Sequence, residues 1–368
     1  MAHTLQEFYD DQIDACPADV RMLCERRNAD CSQTRKLPPE VLIEIFAILG
    51  SFNYGRHCLY PHLKWVSVTQ VCRTWRNIAL NEPLLWTDFV NRVHSNWAPE
   101  IFARSKAAPL RVCLGEFNGT PDFIIDELVK SPERIKELEI DAYGGAALVR
   151  RLVKPAPILE SLVITSDTGV EFPPNFLGGV APRLRSVRCW VLPAEADWLA
   201  NLRSLNHSGL LPTHASWLSK LTSLHLGRYA TQLSKSVDGM FSILENAPLL
   251  HQLTFTTSSH MGDAPRTRST PLRLRYLCDI TAYLEAKPGM AIIFDQLQVD
   301  NIERLRTFWP RRFEDSTMLE HVRNFFDRCY HGDTLQYSAH ELEKRRYICW
   351  TEPGQEFQDR TRKSYTRY

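Results

Sequence analysis

A short phrase recurs along the middle of the chain, with an apolar residue at positions i, i+3 and i+5. It occurs as Ile135-Lys136-Glu137-Leu138-Glu139-Ile140 and again as Leu159-Glu160-Ser161-Leu162-Val163-Ile164. It returns at 184–189, 202–207, 221–226 and 250–255, with a looser copy from Leu274 and another at 110–114. The central apolar positions are 138, 162, 187, 205, 224, 253 and 277, spaced 18 to 29 residues apart. Positions i+3 and i+5 point the same way in a strand. Each copy is therefore a short strand with one apolar side. One such strand cannot bury that side alone, whereas stacked neighbours share a continuous core. Several copies follow an Ala-Pro pair, at 108–109, 156–157, 181–182 and 247–248, and proline ends a preceding helical segment. Helices are expected between strands at 123–129, 146–153 and 237–244. The alternative is a non-repeating α/β domain in which the leucine spacing is chance.

Upstream, residues 37–86 follow a different period. Leu37-Pro38-Pro39-Glu40 has the form of a helix start, because proline is tolerated in the first turn and a carboxylate suits the helix dipole. Val41, Leu42, Ile45, Phe46 and Leu49 then make one broad apolar face, and Gly50 is a stop signal. Residues 51–61 form a loop. A second apolar run, Trp65, Val68, Val71, Cys72, Trp75, Ile78 and Ala79, is spaced by threes and fours. Asn81-Glu82-Pro83 breaks it, and Leu84, Leu85 and Trp86 follow. A chain of this size buries only about 60% of its unfolded surface. It must lean on the rest of the chain, on a partner, or on both.

The ordered set Leu37-Pro38, Val71-Cys72, Trp75 and Leu85-Trp86 resembles the F-box. It departs from typical members in the longer connection at 51–61. The downstream copies resemble leucine-rich repeats of the irregular kind that follows F-boxes in fungal proteins. They depart in lacking the asparagine or cysteine that usually follows the second apolar pair; Asp141, Ser166 and Gly227 stand in those neighbourhoods. Together the resemblances imply an α/β fold: a short helical F-box followed by an irregular leucine-rich-repeat-like α/β solenoid. Its expected divisions are a polar leader (1–36), the F-box (37–90), the repeats (91–285), a cap (286–350) and a tail (351–368). The resemblance further implies a substrate-receptor subunit of a Skp–cullin–F-box ubiquitin ligase. The Skp adaptor would be met by Leu37, Pro38, Leu42, Ile45, Val71, Cys72 and Trp75, some of which also hold the helices together. Cullin would follow through the adaptor, and the repeats would hold a target protein.

Composition narrows the alternatives. Lys plus Arg is 44 and Asp plus Glu is 43, so no global field points to nucleic acid or an anionic membrane. No run of 18 apolar residues suggests a transmembrane helix. The opening MAHTLQEFYDDQ is acidic and lacks the apolar core of a secretory signal. The 10 cysteines are scattered, with no Cys-x-x-Cys, which points to a reducing compartment, cytoplasmic or nuclear. Cys16, Cys24 and Cys31 are spaced too widely for a structural zinc site.

No phosphate-binding loop, dinucleotide fingerprint, zinc-protease motif or nucleophile elbow occurs. No catalytic residue, cofactor or metal is therefore expected. His207 and His225 are read as structural, at equivalent repeat positions or close to them. The repeats are interrupted at 256–271, where Arg266 and Arg268, with Arg273 and Arg275 beyond them, form a basic cluster. It is either a solvated loop or a contact for an acidic or phosphorylated partner. From 286 the repeat fades; a strand at 290–294, Leu297 and Val299, a helix at 318–326 and a strand at 347–350 are expected to close the open end. Three functions compete: a ligase receptor, a scaffold outside ubiquitination, and an enzyme whose convergent site leaves no linear signature.

Overall fold

A computed structural model describes residues 33–51, 62–90, 97–115, 122–165, 170–209, 211–227, 237–257, 270–284, 293–300, 302–310, 316–329, 336–342 and 345–351. The loop at 52–61, Arg266, Arg268 and the tail lie outside them. The chain divides into two compact units: Met1–Asp88 with Pro99–Lys106, and Phe89–Ala98 with Ala107–Tyr368.

The first unit is helical. Helix α1 (Pro39–Ser51) starts on the carbonyl of Pro38, which accepts from the Val41 and Leu42 N–H groups at 3.1 and 3.2 Å. It runs past Gly50 to Ser51. Of its apolar residues, Leu42 and Phe46 are buried, one turn apart. The second apolar run is not one helix. Residues His62–Gln70 wind in 3₁₀ turns and bury Trp65 and Val68. The chain then breaks at Val71-Cys72, and α2 (Arg73–Asn81) begins. Glu82 closes α2 through its N–H to the Ile78 carbonyl. Its carboxylate also accepts from the Leu84 N–H at 3.1 Å, capping the Pro83–Trp86 turn. Trp86 is buried; its indole donates to the Ala79 carbonyl at 2.9 Å and packs edge-on against Trp65 at 5.0 Å. Arg104 donates to the Leu80 carbonyl and lies 5.3 Å from the Trp86 ring. These two side chains satisfy carbonyls that the last turn of a helix leaves open.

The second unit is a sheet whose strands add in sequence order. Following β1 (Asp88–Val90), the strands are β2 (Leu110–Leu114), β3 (Ile135–Asp141), β4 (Ser161–Thr165), β5 (Ser186–Cys189), β6 (Ser204–His207), β7 (Ser223–Leu226) and β8 (Gln252–Thr257). Then come β9 (Leu272–Leu274), β10 (Asp279–Leu284), β11 (Leu297–Val299) and β12 (Arg304–Pro310). From β2 to β8, then β10 and β12, each strand pairs in parallel with the next. β13 (Gln336–Leu342) and β14 (Arg345–Thr351) complete the edge as an antiparallel pair, with β14 against β12. β9 and β11 form a separate two-stranded sheet.

The central apolar residues stand side by side. Val112, Leu138, Leu162, Val187, Leu205, Leu224, Leu253, Ile280 and Leu305 are matched strand to strand, each 2% exposed or less. Full burial of one such side chain contributes about 1.5–3 kcal/mol. A slip of one residue would turn the whole row outward, so the row fixes the register. The copy expected from Leu274 is phased from Leu277 instead, with Ile280 as its central residue. A further copy, Ile302-Glu303-Arg304-Leu305-Arg306-Thr307, continues the sheet past 286. The phrase fades there only because its last apolar place is held by Ala282 and Thr307.

The strand entrances are held by backbone groups. The carbonyl at i+1 of one copy accepts two successive N–H groups of the next. Glu160 receives Arg185 and Ser186, Arg185 receives Arg203 and Ser204, and Arg203 receives Thr222 and Ser223. Thr222, His251 and Cys278 repeat the pattern at 2.8–3.1 Å. Such shared acceptors satisfy the backbone without side chains. The Ala-Pro pairs sit one step earlier. The carbonyls of Ala156, Ala181 and Ala247 accept from the N–H groups of Leu159, Leu184 and Leu250 at 3.1–3.3 Å. Proline thus holds the second place of a tight turn, where its fixed φ belongs.

Helices α4 (Asp122–Lys130), α5 (Ala142–Arg151) and α6 (Val237–Glu245) fall where expected and bury their apolar sides; α3 (Trp97–Ser105) precedes them. The two shortest copies lack room for a helix and use 3₁₀ turns, Asp197–Leu199 and Ser216–Lys220, with Trp198 and Trp217 filling the space. Residues 293–296 form a 3₁₀ turn, so the strand expected at 290–294 does not extend over its last two residues, while 290–292 lie outside the described residues; Leu297 opens β11. Helix α7 (Ser316–Cys329) places Phe325 against Phe294 at 5.3 Å, and Phe294 against Phe255 at 6.3 Å. Among the described residues, no helix is long and apolar enough to cross a membrane.

Candidate docking surfaces

The first unit keeps more apolar surface than its packing uses. Val41, Ile48 and Leu49 on α1 are exposed and Ile45 is half-buried, forming a stripe beside the buried Leu42 and Phe46. Leu84 is 64% exposed and Val71 is 61% exposed.

The seven residues read as adaptor-facing divide into two groups. Leu42 is core. Trp75 is half-buried against Phe46, with ring centres 5.1 Å apart. Pro38, Val71 and Cys72 lie on the surface, and Leu37 and Ile45 are half-exposed. Cys72 also caps α2: its backbone is extended, and its sulfur accepts from the Trp75 N–H at 3.5 Å. That cap turns the chain at Val71 and leaves the valine outside. The exposed Ile48 and Leu84 are not among the seven. The signal that points to them is an apolar face on α1 too wide for a single packing partner, and an apolar pair after the Asn81-Glu82-Pro83 break.

The second unit offers an open sheet face opposite its core. Ser161, Ser186, Ser204 and Ser223 stand in register on it. Beside them runs a second row: Val163, Arg188, Asn206, His225 and Thr254. The Asn206 amide, with its oxygen toward Arg188, accepts from Nε at 3.1 Å and Nη2 at 2.9 Å. At one side β3 presents Glu137, Glu139 and Asp141. At the other, Asp279 is held by Arg304 at 3.0 Å and Arg306 at 2.9 Å. Arg273 is paired with Asp300 through two hydrogen bonds.

The two histidines are not equivalent. His225 pairs across from Asn206 on the open face, whereas His207 pairs with Leu226 in the core. Burial, and then the positive field of Arg188, holds the His225 imidazole below its ordinary range. It is neutral in the folded chain near pH 7, while the unfolded chain takes up a proton with a pKa of about 6.5. The stability it contributes is present above that value and is lost as pH falls below it. Wild type is expected to lose more of its melting temperature than His225→Gln between about pH 7.5 and about pH 5.5. Parallel losses in the two proteins would contradict this assignment.

Burial raises the thiols of Cys189, Cys278 and Cys329, which keeps them protonated and apolar. Among the described residues no His, Cys, Asp and Glu cluster could hold a metal ion.

The first unit is a small helical module with apolar residues left outside, and the second carries a long, largely parallel sheet with a polar face opposite its core. Residues 34–92 match the family model described as F-box-like. No curated protein matches the chain.

Proposed function

We propose that the chain is a substrate-receptor subunit of a Skp–cullin–F-box ubiquitin ligase. The first unit docks on the Skp adaptor, cullin is reached through that adaptor, and the open sheet face of the second unit holds a target protein. The chain performs no chemistry itself. It keeps the target near a ubiquitin-loaded enzyme, which raises effective concentration. The observation that carries this reading is the F-box-like match over a unit whose Pro38, Val41, Val71 and Leu84 remain exposed. Exposed apolar groups in a small module are what a partner surface requires.

The second unit is read as an irregular leucine-rich-repeat solenoid. In support, its strands add in sequence order, its central row is continuous, and each copy contacts the next through the same backbone pattern. The protein is expected to work in the cytoplasm or nucleus.

Isolation of the tagged full chain with the proteasome blocked tests the ligase role. Adaptor and cullin should be recovered together, and the purified assembly should transfer ubiquitin to a bound protein. Recovery of the adaptor without cullin would replace this reading with a scaffold outside ubiquitination.

A further inference from the structure

The strand entrances carry a charge that the chain as a whole does not. The stretches leading into β4, β5, β6 and β7 are 152–160, 180–185, 200–203 and 219–222, and in a parallel sheet they lie along one rim. Every residue of these stretches is described. They hold Lys154, Arg183, Arg185, Arg203 and Lys220, against one carboxylate, Glu160, which Lys136 already meets at 3.6 Å.

Backbone carbonyls hold most of these cations along the rim. Arg185 Nη1 donates to the Asn201 carbonyl at 3.0 Å, and Arg203 Nη1 donates to that of Lys220 at 2.9 Å. Lys220 Nζ donates to the Ala200 carbonyl at 2.7 Å, and Lys154 Nζ to that of Lys130 at 3.3 Å. Each of these bonds reaches a neighbouring copy. The ties use Nη1 of both guanidiniums and leave Nε and Nη2 of Arg185 and Arg203 without a bond among the described residues. That side of a guanidinium matches the two oxygens of a carboxylate. Two apolar side chains stand with the charges: Val153 is 39% exposed and Val180 is 48% exposed. The four stretches contain no aromatic residue, so a single-stranded nucleic acid finds no ring there for its bases to stack on. A peptide with acidic and apolar side chains fits what is present.

We propose that this rim docks an extended acidic segment of a partner protein, with its carboxylates on Arg185 and Arg203 and its apolar side chains on Val153 and Val180. The rim is separate from the first unit and from the open sheet face, so the proposal goes beyond the receptor reading and does not depend on it. Arg185 and Arg203 take the same place in adjacent copies, so a segment running across the strands meets them in turn. An exposed ion pair contributes little alone, and affinity comes from the series.

The test uses the purified full chain and three fluorescent probes. One is a peptide of aspartate, serine and valine, the second carries lysine in place of every aspartate, and the third is oligothymidylate. The aspartate peptide is expected to bind at least about tenfold more tightly than the lysine peptide, with the margin shrinking as salt is raised. Arg185→Gln combined with Arg203→Gln keeps amide donors but removes the charge, and should cut that preference at least about threefold. Arg183→Glu should weaken it as well, through a side chain that makes no tie between copies among the described residues. Arg76→Gln combined with Arg323→Gln, which removes the same charge from exposed sites on α2 and α7, should leave the preference unchanged. Melting temperatures separate a lost fold from a lost charge. Equal affinity for the two peptides overturns the proposal, as does an unaltered preference in the rim variants. An equal loss in the two double variants also overturns it, by tracing the preference to net charge. Tighter binding of oligothymidylate than of the aspartate peptide overturns it in favour of a nucleic acid.

Discussion

Leu205→Ala is expected to destabilise the second unit by about 2–5 kcal/mol, the range for removing a fully buried leucine from a packed core. Leu205 is 1% exposed and stands between Val187 and Leu224 in the central row. The truncation therefore leaves a void that two neighbouring copies share. Ser204→Ala, one residue away on the open face, should change stability by less than about 0.5 kcal/mol. Urea unfolding followed by circular dichroism separates the two. Hydrogen exchange adds a spatial test, because copies in a stacked array contact only their neighbours. Amides of β5, β6 and β7 should lose protection in Leu205→Ala before those of β2 and β3 do. Uniform loss across the sheet would contradict the stacked description, and equal effects of the two substitutions would contradict the register.

The row containing Leu205 is legible in the sequence because its residues are large, apolar and repeated. The strands β10 and β12 belong to the same row, yet the pattern misplaces the phase of the first and misses the second. Their i+5 places carry Ala282 and Thr307, so the apolar triplet is incomplete while the backbone pairing continues. Pattern reading detects side chains, whereas a parallel ladder needs only N–H and C=O groups. The same limit hides the strand entrances, where one backbone carbonyl accepts two successive N–H groups of the next copy.

In the first unit the period is misleading at one point. Val68, Val71, Cys72 and Trp75 keep helical spacing, so nothing in the pattern marks the break at Cys72. The break is local: an extended residue whose own sulfur caps the next helix. Burial is also only half legible. Periodicity assigns Val41 and Leu42 to one face of α1, but packing buries Leu42 and leaves Val41 outside. Which part of a broad apolar face is core depends on the partner it meets. The open sheet face is legible only as residues between core positions. Its division into acidic, neutral and basic stretches requires the strand register.

Val71→Asp is expected to abolish adaptor binding while leaving the fold intact. Val71 is exposed, so a charge there is not buried, and it precedes the cap of α2, where a carboxylate suits the helix dipole. Stability should stay within about 0.5 kcal/mol of wild type. At an interface the same charge is desolvated against apolar groups, a loss on the order of 2 kcal/mol or more for a central contact. Capture of tagged full chain, wild type against Val71→Asp, with the recovered Skp adaptor quantified and melting temperatures compared, decides the matter. Adaptor present with wild type and lost with Val71→Asp at unchanged melting temperature is the predicted result. Equal adaptor recovery from both proteins would contradict the docking surface, and its absence from wild type would contradict the receptor assignment itself.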